Sequence, residues 1–475
     1  MFKTFFSHPW GLSTLFFTEL WERFSYYGMT AILLYYMYYS ISDGGLGLDP
    51  ALSASVVALY SSLVYLSGIS GGFISDRLLG PYKTVLYGGI LIMFGHISLT
   101  LPYGINSLLI SFAFIIIGTG FLKSNISTMV GLLYDKNDKK KDSAYTIFYL
   151  GINIGGLISP ILMSSIALIY NFHVGFSLAA IGMFIGLLIY VLTRKNLLKE
   201  DFLYPTSPLT EEDKTNLLKK VFHLITGLSL ILILIYFIGY LNTENIIFLA
   251  SIIICLVPVY YIYNMLNSIK KENNKVEFNN MIAFIPIFIG SILFYTLMDQ
   301  GSTILAWLVD MKVQLGGIPP SWLQSMNPIF IMIFTPFFSY LWTKETQISD
   351  SLKYVLGLLL AGISFLILAA SLISSEGEKI NALWIIIFWA VITLGEILIS
   401  PTGLALASKL APRKFQSQFM SIWLLNSAVS SAIGSLIVKF YEQDPIIYFT
   451  VLGAIAILSG LILFAFKNKI NNLIQ

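Results

Sequence analysis

Six charged side chains lie where the surrounding sequence is apolar enough to cross a bilayer. They are Glu19, Glu22 and Arg23 in the run Leu12–Tyr39, Lys123 in 106–128, Asp299 in 281–309 and Glu396 in 382–407. At helical spacing Glu19, Glu22 and Arg23 fall at i, i+3 and i+4 and share one face. A charge at the bilayer centre costs roughly 2.5–3.5 kcal/mol even on the mild insertion scale, so these groups must face protein or water. Carboxylates take up and release protons, and a guanidinium or an ammonium holds a carboxylate. The set could therefore form a proton and substrate site. The plainer alternative is a structural ion pair, Glu19 with Arg23 and Glu22 with a base on another helix. Against it, buried pairs rarely repay their desolvation, and intramembrane ionisable groups usually mark a pathway.

Each of the other charges has an alternative of its own. Lys123, in Gly118-Thr119-Gly120-Phe121-Leu122-Lys123-Ser124-Asn125, could be a lysine snorkelling near a helix end. That stretch looks superficially like a phosphate loop but lacks the glycine that should immediately precede the lysine. Asp299 follows Tyr295 by one helical turn and precedes Gln300-Gly301-Ser302, which could be only a polar helix break. Glu396 stands before Ser400-Pro401, where a kink would free backbone carbonyls, and could be structural. Polar and aromatic side chains that could complete a cavity are Tyr26, Tyr27, Tyr65, Asn153, Tyr295, Asn327, Trp423 and Ser427. The four histidines have no metal spacing, and the single Cys255 excludes an internal disulfide and a cysteine cluster. No nucleophile–base constellation is visible, so no enzyme, metal or cofactor is expected.

The elements that must position these groups are membrane helices. Hydrophobic residues make up 56% of the 475-residue chain and charged residues only 11%, with mean hydropathy +0.79. A soluble domain carries about 25% charged residues. The net charge of +3 gives no sign of a nucleic-acid partner. Windows of about 20 apolar residues give fourteen spans, centred on 12–39, 53–74, 83–102, 106–128, 143–168, 173–193, 219–241, 245–267, 281–309, 322–342, 352–373, 382–407, 415–438 and 446–466. The first is too long and too charged for a cleavable signal.

With both termini cytoplasmic, the inner connections collect 23 of the 28 lysines and arginines. The outer ones hold only Lys312, Lys379 and Lys439, as the positive-inside rule expects. The polar connection Arg194–Lys220 and the stretch Ser268–Asn280 bracket spans seven and eight, which contain no obvious chemistry. The organisation is thus six spans (1–193), a linker with an inserted pair (194–280), and six more (281–475). Without the pair, the charged spans are the first, fourth, seventh and tenth, the leading helices of four three-helix units. Nested inverted repeats of this kind build many secondary transporters, with the site at the midplane.

The segment Glu19-Leu20-Trp21-Glu22-Arg23-Phe24-Ser25-Tyr26-Tyr27-Gly28 matches the E-x-x-E-R-F-x-Y-Y-G signature of the proton-dependent oligopeptide transporter (POT/PTR) family, within the major facilitator superfamily. Gly71–Gly80 resembles its loop motif after helix two, Phe148–Gly155 its helix-five signature, and Gly395–Pro401 with the segment around Trp423 its C-terminal half. The bacterial branch also carries two extra helices between its six-helix bundles. The resemblance implies an all-α polytopic protein of the major facilitator fold with fourteen transmembrane helices. It implies a proton-coupled symporter importing di- and tripeptides by alternating access, multi-pass in a bacterial inner membrane, and expected to be a monomer in the lipid bilayer. Arg23 and Lys123 would hold the peptide carboxylate. Glu396, with Asn153 and Asn327, would meet the amino group, and Tyr26, Tyr27, Tyr65 and Trp423 would line side-chain pockets. Glu19, Glu22 and Asp299 would couple protons. Two departures stand out. Many relatives carry arginine at the position of Thr30, able to pair with the carboxylate that Asp299 matches. Ser124 replaces a proline that often follows the family lysine.

Two rival functions remain at this level. A transporter of the same fold could carry nitrate or another small organic anion, although Glu396 argues for an amine. A passive channel would equilibrate substrate without concentrating it.

Overall fold

The structure is a computed structural model that describes residues 4–473 except 136–137, 139, 198–199, 238, 240–241, 344–347 and 413–414. Of the counted positive residues, Lys3, Lys136, Lys139, Lys199, Lys344, Arg413 and Lys414 lie outside the described residues. Long helices account for all fourteen expected spans. They are α1 (Trp10–Tyr38), α2 (Pro50–Ile74), α3 (Pro81–Thr100), α4 (Ile105–Leu132), α5 (Lys140–Ile169), α6 (Phe172–Leu192), α8 (Glu211–Phe237), α9 (Thr243–Lys271), α10 (Lys275–Met298) with α11 (Ile304–Lys312), α12 (Met326–Thr343), α13 (Asp350–Ser374), α14 (Ala382–Leu410), α15 (Gln416–Gln443) and α16 (Pro445–Leu473). A single turn, α7 (Glu200–Leu203), lies in the linker. Among the described residues, eleven spans are long and apolar enough to cross a membrane by length and composition.

The ninth span, 281–309, carries the polar helix break that Gln300-Gly301-Ser302 offered. It breaks after Met298 into a tight turn, Asp299–Ser302, and restarts at Ile304. The Gln300 side chain holds the break, donating to the Thr296 carbonyl (3.1 Å) and accepting from the Tyr448 hydroxyl (2.8 Å). Thr303, at φ −124° and ψ −96°, carries the change of direction. The helix therefore opens at the carboxylate of Asp299. By contrast α14 continues through Pro401, which leaves one carbonyl a turn earlier without its usual donor.

Backbone contacts divide the chain into two compact bodies whose boundaries fall inside helices. The first comprises Met1–Ser25, Leu66–Ile152 and Ser177–Ala250; the second comprises Tyr26–Tyr65, Asn153–Phe176 and Ser251–Gln475. In the first body α3 and α4 pack closely, and their apolar core takes in Leu197 and Phe202 from the linker. The linker main chain also ties down beyond α7. Ser207 N–H donates to the Asp76 carbonyl (3.0 Å), Leu209 N–H to the Arg77 carbonyl (3.1 Å), and Arg77 Nη1 to the Ser207 carbonyl (3.2 Å). The longest polar connection is thus strapped to the loop motif after α2. In the second body α13 packs on α14 and α16, and α10 on α15. Large apolar side chains along α9, among them Phe248, Ile253, Leu256 and Val259, stay exposed, as lipid-facing residues do.

Candidate functional site

In the first body, α1 holds the three charges as its spacing predicts. Glu19, Glu22 and Arg23 are all 2% exposed or less. Arg23 Nε donates to Glu22 Oε2 in a very short contact and lies 3.2 Å from Glu19 Oε1. One guanidinium therefore serves two carboxylates. Glu19 Oε2 and Glu22 Oε1 are buried without a hydrogen-bond partner. Buried carboxylate oxygens of this kind are costly unless neutralised.

Lys123, half-buried on α4, is near enough to Glu19 to act on its charge. Its position rests on close packing of α4 against α2. A Cβ on Gly71 would collide with the Gly120 carbonyl, so the two backbones touch there. Asn125 Nδ2 donates to the Gly71 carbonyl (3.1 Å), and Ser124 Oγ is 3.4 Å from the carbonyls of Gly68 and Gly120. Gly118 likewise meets the backbone of α3 at Gly88. The glycines before Lys123 are packing residues, which accounts for the false likeness to a phosphate loop.

The second body holds the remaining candidates. Asn327 Nδ2 on α12 donates to Glu396 Oε2 on α14 (2.8 Å) and lies 3.1 Å from Thr393 Oγ1, one turn before the glutamate. The Tyr295 hydroxyl meets Ser400 Oγ at 2.7 Å, so α10 and α14 are joined one turn beyond Glu396. Asp299, at the helix break, accepts from Ser431 Oγ on α15 (2.9 Å). It shares a small polar cavity with Ser61, Thr296, Gln300, Ser302 and Thr303. Thr30, at the family's arginine position, turns its hydroxyl to the Tyr27 carbonyl (3.1 Å).

The aromatic candidates differ in exposure. Tyr26 is buried and Tyr27 is exposed, their rings edge to face at 5.6 Å. Tyr65 is half-buried on α2, and Asn153 is buried on α5. Trp423 is enclosed by Phe284, Phe288 and Gly403. Ser427 Oγ donates to the side-chain carbonyl of Asn426, its neighbour on α15, at 3.1 Å.

The structure thus brings together Glu19, Glu22 and Arg23, and separately Asn327 with Glu396. Asp299 sits apart from Glu396 in its own hydroxyl-lined setting. Sequence reasoning missed Thr393 and Ser431. Both are small hydroxyl residues in apolar helices, and Thr393 could have been found as the polar residue three positions before Glu396.

A profile of the POT family matches residues 82–457. The chain is 42% identical over 473 residues to the uncharacterized transporter YclF of Bacillus subtilis, covering 97% of this chain and 94% of that protein. It is 41% identical over 483 residues to a di-/tripeptide transporter of Lactococcus lactis subsp. cremoris, covering 98% and 97%. A crystal structure of the peptide transporter POT in complex with sulfate superimposes with a TM-score of 0.95 at 41% identity, over 99% of this chain and 96% of that one. Fourteen helices, the charged α1 face and a match over most of its length make this chain a member of the POT family of transporters, built on the major facilitator fold.

Proposed function

We propose that this chain is a proton-coupled symporter that imports di- and tripeptides by alternating access. One observation carries the reading: two carboxylates on α1 share a single buried guanidinium, with an oxygen of each left over. On α1 alone that arrangement holds one negative charge in excess, which either Lys123 or a proton can balance. Protonation at Glu22 would loosen the cluster and release Lys123 for the substrate carboxylate, joining the two events thermodynamically. Arg23 would share that carboxylate. Glu396, already oriented by Asn327, would take the substrate ammonium together with Asn153. Tyr26, Tyr27, Tyr65, Tyr295, Trp423 and Ser427 would shape the side-chain pockets, and Glu19 and Asp299 would complete the proton path. Likeness to the Lactococcus di-/tripeptide transporter supports this choice of substrate.

In this reading residues 1–193 and 281–475 are the rocking bundles, and 194–280 is the linker with its inserted pair. Both termini lie in the cytoplasm of a bacterial cell, and the working unit in the inner membrane is a monomer. Moving one proton across 100 mV supplies about 2.3 kcal/mol. At about 1.4 kcal/mol per decade that sustains a gradient of roughly fortyfold, before any contribution from pH.

The test is uptake into proteoliposomes under an inward proton gradient. Glu22→Gln should still exchange dipeptide but fail to concentrate it, and accumulation by this variant would sink the coupling assignment. The anion-transporter reading predicts that N-acetyl dipeptides compete as strongly as free ones. Nothing in the site favours it.

A further inference from the structure

The last turn of α1 and the residue after it present Tyr35, Tyr38 and Tyr39 at i, i+3 and i+4, and within the second body this face meets α11. The Tyr35 hydroxyl donates to the Ala306 carbonyl (3.3 Å). One turn further along α11, Asp310 receives both neighbouring phenols: Tyr39 donates to Oδ1 (2.9 Å), and Tyr38 donates to Oδ2 in a very short bond. Both carboxylate oxygens are thus engaged from one helix. The three rings support each other edge to face, with centroids 5.3 to 6.0 Å apart. Tyr39 also packs on Phe172 of α6 at 5.7 Å.

Other hydrogen bonds within this body also tie helices of the chain's first half to its second. Ser62 donates to the Ala428 carbonyl (2.6 Å), Trp322 Nε1 to Ser165 Oγ (3.2 Å), and Ser325 to the Leu157 carbonyl (2.9 Å). These are neutral. The Asp310 contact carries a formal charge, and charge-assisted bonds are about twice as strong. Two turns earlier on α1, Thr30 bonds to the Tyr27 carbonyl, and Asp299 at the end of α10 bonds to Ser431.

We propose that Tyr38, Tyr39 and Asp310 are positioning residues of the transport cycle, an outer latch that holds the end of α1 to α11 and must part before substrate enters from outside. The proposal rests on the transport reading and on a cytoplasmic N terminus. Phenols suit the task. Separating them from a carboxylate strands no buried cation, and water entering the gap resolvates every group released.

The test uses the intact transporter in right-side-out proteoliposomes. Cys255→Ser removes the lone thiol, and Ser61→Cys places a new one in the small polar cavity beside Asp299. The rate of labelling by a membrane-impermeant thiol reagent added outside reports opening of that end. Tyr38→Phe with Tyr39→Phe keeps the rings and removes the hydroxyls, and should raise the rate about tenfold. Each single change should give a smaller increase, and the milder singles serve if the pair folds poorly. Dipeptide KM should stay near the parent value while net uptake per folded transporter falls, with folded protein quantified by gel filtration so that loss of stability is separated from the effect. An unchanged labelling rate with unchanged turnover would overturn the proposal. Labelling reached only from the opposite side would overturn the outward placement of the latch, while intact proton-driven dipeptide uptake would leave the transport reading standing.

Discussion

The two bodies hold their acids in different ways. On α1, Glu19 and Glu22 lie against a cation, and more carboxylate oxygens are buried than Arg23 satisfies. In the second body, Glu396 accepts from an amide, Asp299 from an alcohol and Asp310 from two phenols. A carboxylate that shares its guanidinium with another can be balanced by a proton in place of a second cation. One steadied by neutral donors keeps its charge available and its direction fixed. The first arrangement suits storage of a proton; the second, at Glu396, suits capture of an ammonium.

The largest effect should come from Arg23→Ala. Removing the shared cation leaves two buried carboxylates facing each other without compensation, a loss of about 3–5 kcal/mol. Uptake should vanish, and the melting temperature of the detergent-purified protein should fall; near-normal transport would erase the contrast between the bodies. Next comes Glu396→Gln, which keeps the contact with Asn327 and removes the charge. The kcat/KM for free dipeptides should drop about 30- to 100-fold, and that for N-acetyl dipeptides much less, in counterflow measurements. Equal losses for both would mean that Glu396 does not meet an ammonium. The smallest effect belongs to Thr393→Ala. It removes one neutral neighbour of Asn327 and leaves the bond to Glu396, so KM should rise by no more than about threefold.

The helices and the charged positions were legible because lipid penalises a lone charge so heavily. Arg23, Lys123, Asp299 and Glu396 stood out against apolar runs, and the loop charges supported the count of spans. What stayed hidden depended on partners distant in sequence. Gln300-Gly301-Ser302 announced a break at Asp299, but the hold that the Gln300 side chain takes on it works through Tyr448. Asp310 lies near the end of its span and gave no signal until Tyr38 and Tyr39 came beside it. Phe202 is one apolar residue in a polar linker, and only its burial among the helices of the first body marks it as an anchor.

The contact of Gly71 with Gly120 has a mechanical consequence. Where two main chains touch, no side chain lies between them to swing aside, so α2 and α4 cannot slide past each other at that point without opening a void. This stretch behaves as a single plank. Lys123 is rooted on it, so its backbone moves toward or away from α1 only with both helices, while its flexible stem gives the ammonium a shorter reach of its own.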